Sequence, residues 1–236
     1  MRRYTVAAMG PALYTAVIRY WVLMLPRPRR ITVAPVVALA IISTTTALVS
    51  VAPGADIEAG RRKAEACLPC HGASGNAITP GTPSLAGMPA FYTHWQLIMY
   101  RDGRRRDVQM SPFAVNLSDA DMADLAAYYA GQTPRVRPVE IDATRAVAGR
   151  PLAQSLHCGS CHGPQLMGQN QVARLAGQDF DYLLKRLRGY KAKTTSDLDG
   201  MMTMVAQSLS EEDIQNLVHF MAGAAPTPAS AGGDGR

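Results

Sequence analysis

All four cysteines and two of the five histidines of this 236-residue chain fall into two short motifs of one form. Cys67-Leu68-Pro69-Cys70-His71 and Cys158-Gly159-Ser160-Cys161-His162 are both CxxCH. Thiols two residues apart admit four chemistries. They can be thiolate ligands of structural zinc, a reversible redox pair, structural disulfides of an exported chain, or the anchors of covalent c-type haem. The histidine discriminates among these. A disulfide or redox pair does not require His directly after the second Cys, and still less twice. Haem attachment does, because the two thiols reach the two vinyl groups on one porphyrin edge and the next imidazole turns up to the iron. The motifs therefore predict two covalently bound haem c groups, held by Cys67, Cys70, Cys158 and Cys161, with His71 and His162 as proximal iron ligands.

Each iron needs a sixth ligand, a soft thioether or a second imidazole, or else it stays open. Met110 stands eight residues before Ser118, and Met202 eight before Ser210. That shared register selects them as axial ligands over core-filling Met, and it selects Met202 over its neighbours Met201 and Met204. Met–His ligation raises the reduction potential. His94 and His219 fall in helical patterns and His157 directly precedes a cysteine, so these three read as packing or surface residues.

The elements that must position these groups come as a repeat. The two CxxCH-Gly motifs are displaced by 91 residues, Leu85-Ala86-Gly87 and Leu175-Ala176-Gly177 by 90, and Leu117-Ser118 and Leu209-Ser210 by 92. Landmarks kept in order indicate two copies of one unit. Each copy closes with a helix. Ser118 with Asp121, and Ser210 with Asp213, resemble capping boxes. Met122, Leu125, Ala126 and Tyr129 then form one apolar stripe, and Ile214, Leu217, Val218 and Met221 the other. Gly131 and Gly223 read as helix stops. No stretch alternates like a strand, so the fold class is all-α. The expected organisation is a leader over 1–55, haem units over 56–133 and 142–224, a linker over 134–141, and a disordered tail over 225–236. The linker belongs to the extended stretch Gly131–Glu140, and the tail has little to bury.

The net charge of +6 comes from the leader. Residues 1–55 hold six Arg and no acid, which leaves 18 basic against 18 acidic residues in the remainder. A nucleic-acid partner is not expected without a basic footprint that survives processing. Residues 31–52 are uncharged and follow Arg27, Arg29 and Arg30, the pattern of an export signal with a cut near Ala52 or Ala55. Their length would also span a bilayer, so a retained leader would tether the chain. The apolar stretch over 4–25 fits a translation start at Met24. Each copy is about 80 residues, a size at which a core alone is marginal. Aromatic residues make up only 6% of the chain, so a porphyrin is expected to be part of the core. Arg101, Arg104, Arg105 and Arg106, interleaved with Asp102 and Asp107, read as a solvated loop, the alternative being a cluster that steers an acidic redox partner or pairs with haem propionates; Lys191 and Lys193 fill its counterpart in the second copy.

With Met110 and Met202 each ahead of a Leu-Ser-started helix, the chain resembles class I cytochromes c, and in tandem the dihaem c-four type, over roughly 56–223. The resemblance implies two helical haem domains related by a pseudo-twofold axis, passing single electrons in the periplasm, with haem edges approaching across the interface. It also implies a proline carbonyl accepting the proximal imidazole N–H. Pro83 matches that place and Ala173 stands at it in the second copy, where a less rigidly oriented site and a different potential are expected. The expected role is an electron carrier, not an enzyme. Its partners would be redox proteins such as a quinol-oxidising complex, a dehydrogenase or a terminal oxidase. The alternatives are a cytochrome subunit of a dehydrogenase complex, a dihaem peroxidase-like oxidoreductase with one open iron, and a zinc-binding interaction module.

Overall fold

The computed structural model describes residues 54–227 except Ser196 and Leu198. Residues 1–53 of the leader, including the Met24 start, and residues 228–236 of the tail lie outside the described residues. Among the described residues there is no strand, only one isolated bridge between Gln169 and Val172, and no helix is long and apolar enough to cross a membrane. The first copy contains α1 (Ile57–Lys63), α2 (Leu68–His71), α3 (Ala90–Arg101), α4 (Ser111–Ala114) and α5 (Asp119–Ala130). The second repeats the order with α6 (Ala143–Ser155), α7 (Cys158–His162), α8 (Phe180–Lys191), α9 (Met201–Gln207) and α10 (Glu211–Gly223).

The closing helices start as their sequences dictate. Ser118 and Ser210 each accept the amide of the residue three on, and Asp121 and Asp213 reach back to the cap amides, completing both capping boxes. The eight stripe residues are all buried. In the second copy the stripe of α10 meets Ala153, Leu166, Leu183 and Leu187. In the first copy Leu125 and Tyr129 meet Ala64. The first and last helices of each copy cross at backbone contact. A Cβ on Gly60 would lie 2.1 Å from the Asp124 carbonyl oxygen, and one on Gly149 2.1 Å from that of Asn216. Only glycine allows those crossings.

The closing helices end at the expected glycines but without the expected turn. Gly131 caps α5 with φ −79°, in the right-handed region, and Gly223 is the last residue of α10 rather than a stop beyond it. Neither uses the left-handed turn that favours glycine. Instead Pro134 and Pro226, a few residues past each helix, return to pack against Gly87 and Gly177.

The segment after α5 is extended and tied at both ends. Asn76 donates to the Thr133 carbonyl at 3.1 Å and accepts the Arg135 amide at 2.7 Å. Arg137 pairs with the buried Asp179 at 2.9 Å, and the same aspartate accepts the Gly81 amide of the first copy. Between the copies one contact is made twice with roles exchanged. The Ser84 amide donates to Gln178 Oε1 at 2.7 Å, and the amide of Arg174, which stands where Ser84 does, donates to Met88 Sδ at 3.2 Å, where Met88 stands where Gln178 does. Such exchange is what a pseudo-twofold relation produces.

Candidate haem sites

The short helices α2 and α7 carry the two CxxCH motifs and end on buried histidines, His71 at 4% exposure and His162 at 8%. A loop passes beneath each. His71 Nδ1 donates to the Pro83 carbonyl and His162 Nδ1 to the Ala173 carbonyl, both at 2.8 Å. A carbonyl can only accept, so the proton sits on Nδ1 and the free lone pair on Nε2. Burial draws both imidazoles below their ordinary pKa, against the opposing pull of the carbonyl. Each site thus presents a neutral imidazole with one oriented nitrogen available for a metal. The bond at Ala173 is as short as that at Pro83, so fixed φ is the remaining difference between those two supports.

Cys67 and Cys158 are half-buried, Cys70 and Cys161 exposed, and no two of them are joined in a disulfide. Burial pushes the Cys67 and Cys158 thiols up, away from the thiolate that zinc or redox exchange needs. Among the described residues no group of three or more His, Cys, Asp or Glu is gathered to hold a metal ion, as a structural zinc site would be.

Met110 is half-buried just before α4, and Met202 half-buried in the first turn of α9. An aspartate fixes the backbone of each. Asp107 accepts the Gln109 and Met110 amides, and Asp197 the Met202 and Thr203 amides. Partial burial opposes ionisation of Asp107, but those amides and Lys185 outweigh it and hold the carboxyl below its ordinary pKa. Met201 and Met204 are 47% and 60% exposed, whereas Met202 packs against the second core. The remaining histidines do other things. His94 is half-buried on α3, His157 precedes α7 with φ 55°, and His219 accepts the Asp142 amide and lies against the Phe180 ring.

Residues 55–128 and 144–221 each match the family described as cytochrome c oxidase, cbb3-type, subunit III. A cytochrome c4 of Thiocapsa roseopersicina is 36% identical over 179 residues, covering 71% of this chain and 92% of that one. The chain belongs to the cytochrome c4 family. The crystal structure of reduced recombinant cytochrome c4 from Pseudomonas stutzeri superposes with a TM-score of 0.68 at 30% identity, covering 72% of this chain and all of that one. A thiosulfate dehydrogenase electron acceptor of Thiomonas intermedia is 31% identical, covering 80% of this chain and 92% of its own length. As a c4-type cytochrome the protein is a dihaem electron carrier rather than an enzyme, and exchanges electrons with redox partner proteins.

The interior of this cytochrome c4 relative fits two such groups electrostatically. Arg105 turns out of its loop, contrary to the solvated reading of that run. It donates to Gln96 and, at 3.0 Å, to Tyr182 of the second copy, and stacks on Tyr100. The others of the run stay outside: Arg101 pairs with Asp119, Arg104 with Asp102, and Arg106 bonds the Gly103 carbonyl. On the facing copy Arg186 bonds Thr195 and Tyr190. Burial works to raise the Tyr182 phenol, but Arg105 and Arg186 outweigh it and bring its pKa below the ordinary value. With Arg174, three arginines line this junction, and among the described residues none has a carboxylate partner. Each haem c carries two propionates, so the junction has the sign of charge such groups require. Sequence reasoning missed Arg174 and Arg186. Their signal was available in the repeat: aligned at a displacement of 90, Ser84 becomes Arg174 and Gln96 becomes Arg186.

Proposed function

We propose that Cys67 and Cys70 attach one haem and Cys158 and Cys161 the other, with His71 and Met110 ligating the first iron and His162 and Met202 the second. The observation that carries this reading is the pair of buried imidazoles at the ends of CxxCH helices, each held through Nδ1 by a backbone carbonyl at 2.8 Å. When bound, each haem supplies a one-electron ferrous/ferric couple. The protein's part is to keep coordination fixed. The Pro83 and Ala173 carbonyls orient the imidazoles, while Asp107 and Asp197 hold the backbone that presents Met110 and Met202. Ligands held in this way would keep rearrangement between the two oxidation states small, which would favour electron transfer over substrate chemistry.

The leader pattern over residues 1–55 supports export to the periplasm, with cleavage near Ala52 or Ala55 and a retained leader as the tethered form. Partners of the kind expected are a quinol-oxidising complex, a dehydrogenase or a terminal oxidase. The likeness to a thiosulfate dehydrogenase electron acceptor favours a dehydrogenase as donor. The test is a reduced-minus-oxidised absorption spectrum of the exported protein with and without carbon monoxide. Sharp c-type bands indifferent to carbon monoxide are expected. A carbon monoxide shift would discard at least one methionine and raise the peroxidase-like alternative; a colourless protein would end the haem assignment.

A further inference from the structure

The second CxxCH motif is reached by a longer path than the first. Cys67 follows the crossing glycine Gly60 by seven residues, whereas Cys158 follows Gly149 by nine. The first path stays helical through a short turn over Ala64–Cys67. The second leaves α6 and turns at His157, whose φ of 55° is strained for a residue with a side chain. Beside that turn opens a cleft of about 420 Å³, within the size range of binding clefts. Ala153, Leu166 and Phe220 make its deeper wall, and the exposed Arg150, His157 and Ser160 its rim. Gly159 also lines it, where the first copy carries Leu68.

Charge marks the same place. Arg61, next after Gly60, pairs with Glu58 at 2.9 Å. Arg150 is next after Gly149, but Val147 takes the place of that glutamate and is left 74% exposed. Among the described residues Arg150 has no carboxylate partner, and its guanidinium lies 5.2 Å from the centre of the Phe220 ring. The second copy thus sets an unpaired cation beside an apolar wall. In the first copy a leucine replaces the glycine and the arginine is already paired, so neither feature is repeated.

We propose that this cleft is a docking socket for a redox partner protein, which lays an apolar side chain against Phe220 and Leu166 and sets a neighbouring carboxylate on Arg150. The inference rests on the haem assignment above and names a place where electrons pass to or from the second haem. Gly159 and Ser160 lie between the two cysteines that carry that haem under the assignment, so an inserted side chain touches the segment bonded to it. A one-electron donor docked there takes the ferric iron to ferrous, and an acceptor removes the electron by the same path. The exposed rim suits a side chain presented by a protein, and its charge steers a partner of opposite sign.

The test takes the holoprotein with three short peptides as probes: acetyl-Glu-Phe-Glu-amide, acetyl-Lys-Phe-Lys-amide and acetyl-Glu-Gly-Glu-amide. In amide NMR spectra of wild type the first is expected to shift Arg150, Gly159 and Ser160. The other two should bind several-fold more weakly, because each lacks half of the required chemistry. Gly159→Leu installs the first copy's residue. A Cβ there meets nothing nearer than the Pro164 Cα at 3.6 Å, an ordinary contact, so the variant fills the socket without displacing backbone. It and Arg150→Gln are each expected to weaken Glu-Phe-Glu binding several-fold, with haem spectra used to show that each variant is loaded. Linked to a photoreducing ruthenium polypyridyl donor, the same peptide is expected to reduce ferric haem within the complex on flash excitation, a phase several-fold smaller in both variants. Absent shifts, equal binding of the three peptides, or binding that both variants leave intact would overturn the socket. Binding without that fast reduction would overturn its part in electron passage. Loss of the underlying haem assignment is distinguishable, because wild-type protein would then show no c-type bands before any peptide is added.

Discussion

Burial and register are what separate the proposed methionine ligands from their neighbours. Three methionines crowd the start of α9. Met201 and Met202 both have their amides taken by aspartates, Asp199 and Asp197, but only Met202 has a half-buried side chain and a counterpart in Met110, whose amide is taken by Asp107. Met201 and Met204 face outward. Replacing Met110 or Met202 with Ala is therefore expected to open one iron, giving a carbon monoxide shift in half the haem absorbance and a lower potential at that site. Met201→Ala and Met204→Ala should leave both spectra and potentials as they are. A carbon monoxide response in Met204→Ala but not Met202→Ala would reassign the ligand. At this scale the sequence was highly legible. CxxCH points to attachment and proximal ligand by spacing alone, and register points to the methionines without any view of what their loops do; these remain the proposed ligands. What it could not supply was the aspartate support, because Asp107 lies three residues before its methionine and Asp197 five, so no common spacing marks them.

Helix starts were readable from local chemistry, because a cap and its acid are three residues apart and need nothing from the rest of the chain. Helix ends were readable in place but not in geometry. Gly131 and Gly223 carry the right residue type, but the chain leaves α5 and α10 in an extended path fixed by Pro134 and Pro226 packing on Gly87 and Gly177, contacts made 47 and 49 residues away in sequence. The crossing glycines were illegible for the same reason. Gly60 and Gly149 sit inside helices where glycine is disfavoured, and only the distant carbonyls of Asp124 and Asn216 explain them. The caps yield a pH prediction. The Ser118 hydroxyl and amide and Lys63 outweigh slight desolvation and hold Asp121 at about 2. Its folded pKa lies below its unfolded one, so the box contributes fully above about pH 4 and loses its contribution as pH falls through 2. Ser118→Ala should cost about 1 kcal/mol at neutral pH, and its deficit relative to wild type should shrink on acidification. Denaturant midpoints at neutral pH and at low pH measure this. A deficit that grows in acid would show that Asp121 is not held by that cap.

Taken whole, the molecule is two copies joined by groups that are buried, polar and almost fully paired, and that joint is where the repeat departs from itself. A sequence repeat states that two units are alike; it does not state which surfaces meet. Ser84 and Gln178 carry no motif, yet each is 3% exposed and they satisfy one another across the junction, while their counterparts Arg174 and Met88 make the weaker exchange. Gln178 is thus the one side chain that answers both the amide and the carbonyl of Ser84. Truncating it would leave both buried and unpaired, a penalty of about 1–3 kcal/mol. It touches neither CxxCH helix nor methionine loop in its hydrogen bonding, so the haem spectra of Gln178→Ala should match wild type. Two quantities should change together: the denaturation midpoint falls, and electron exchange between the haems slows, because that exchange depends on the copies being held in one arrangement. A variant whose midpoint falls while internal exchange keeps its rate would show that the pairing stabilises the junction without setting the electron path. Arg105 and Tyr182, bonded across the same junction, would then be the contact that fixes it.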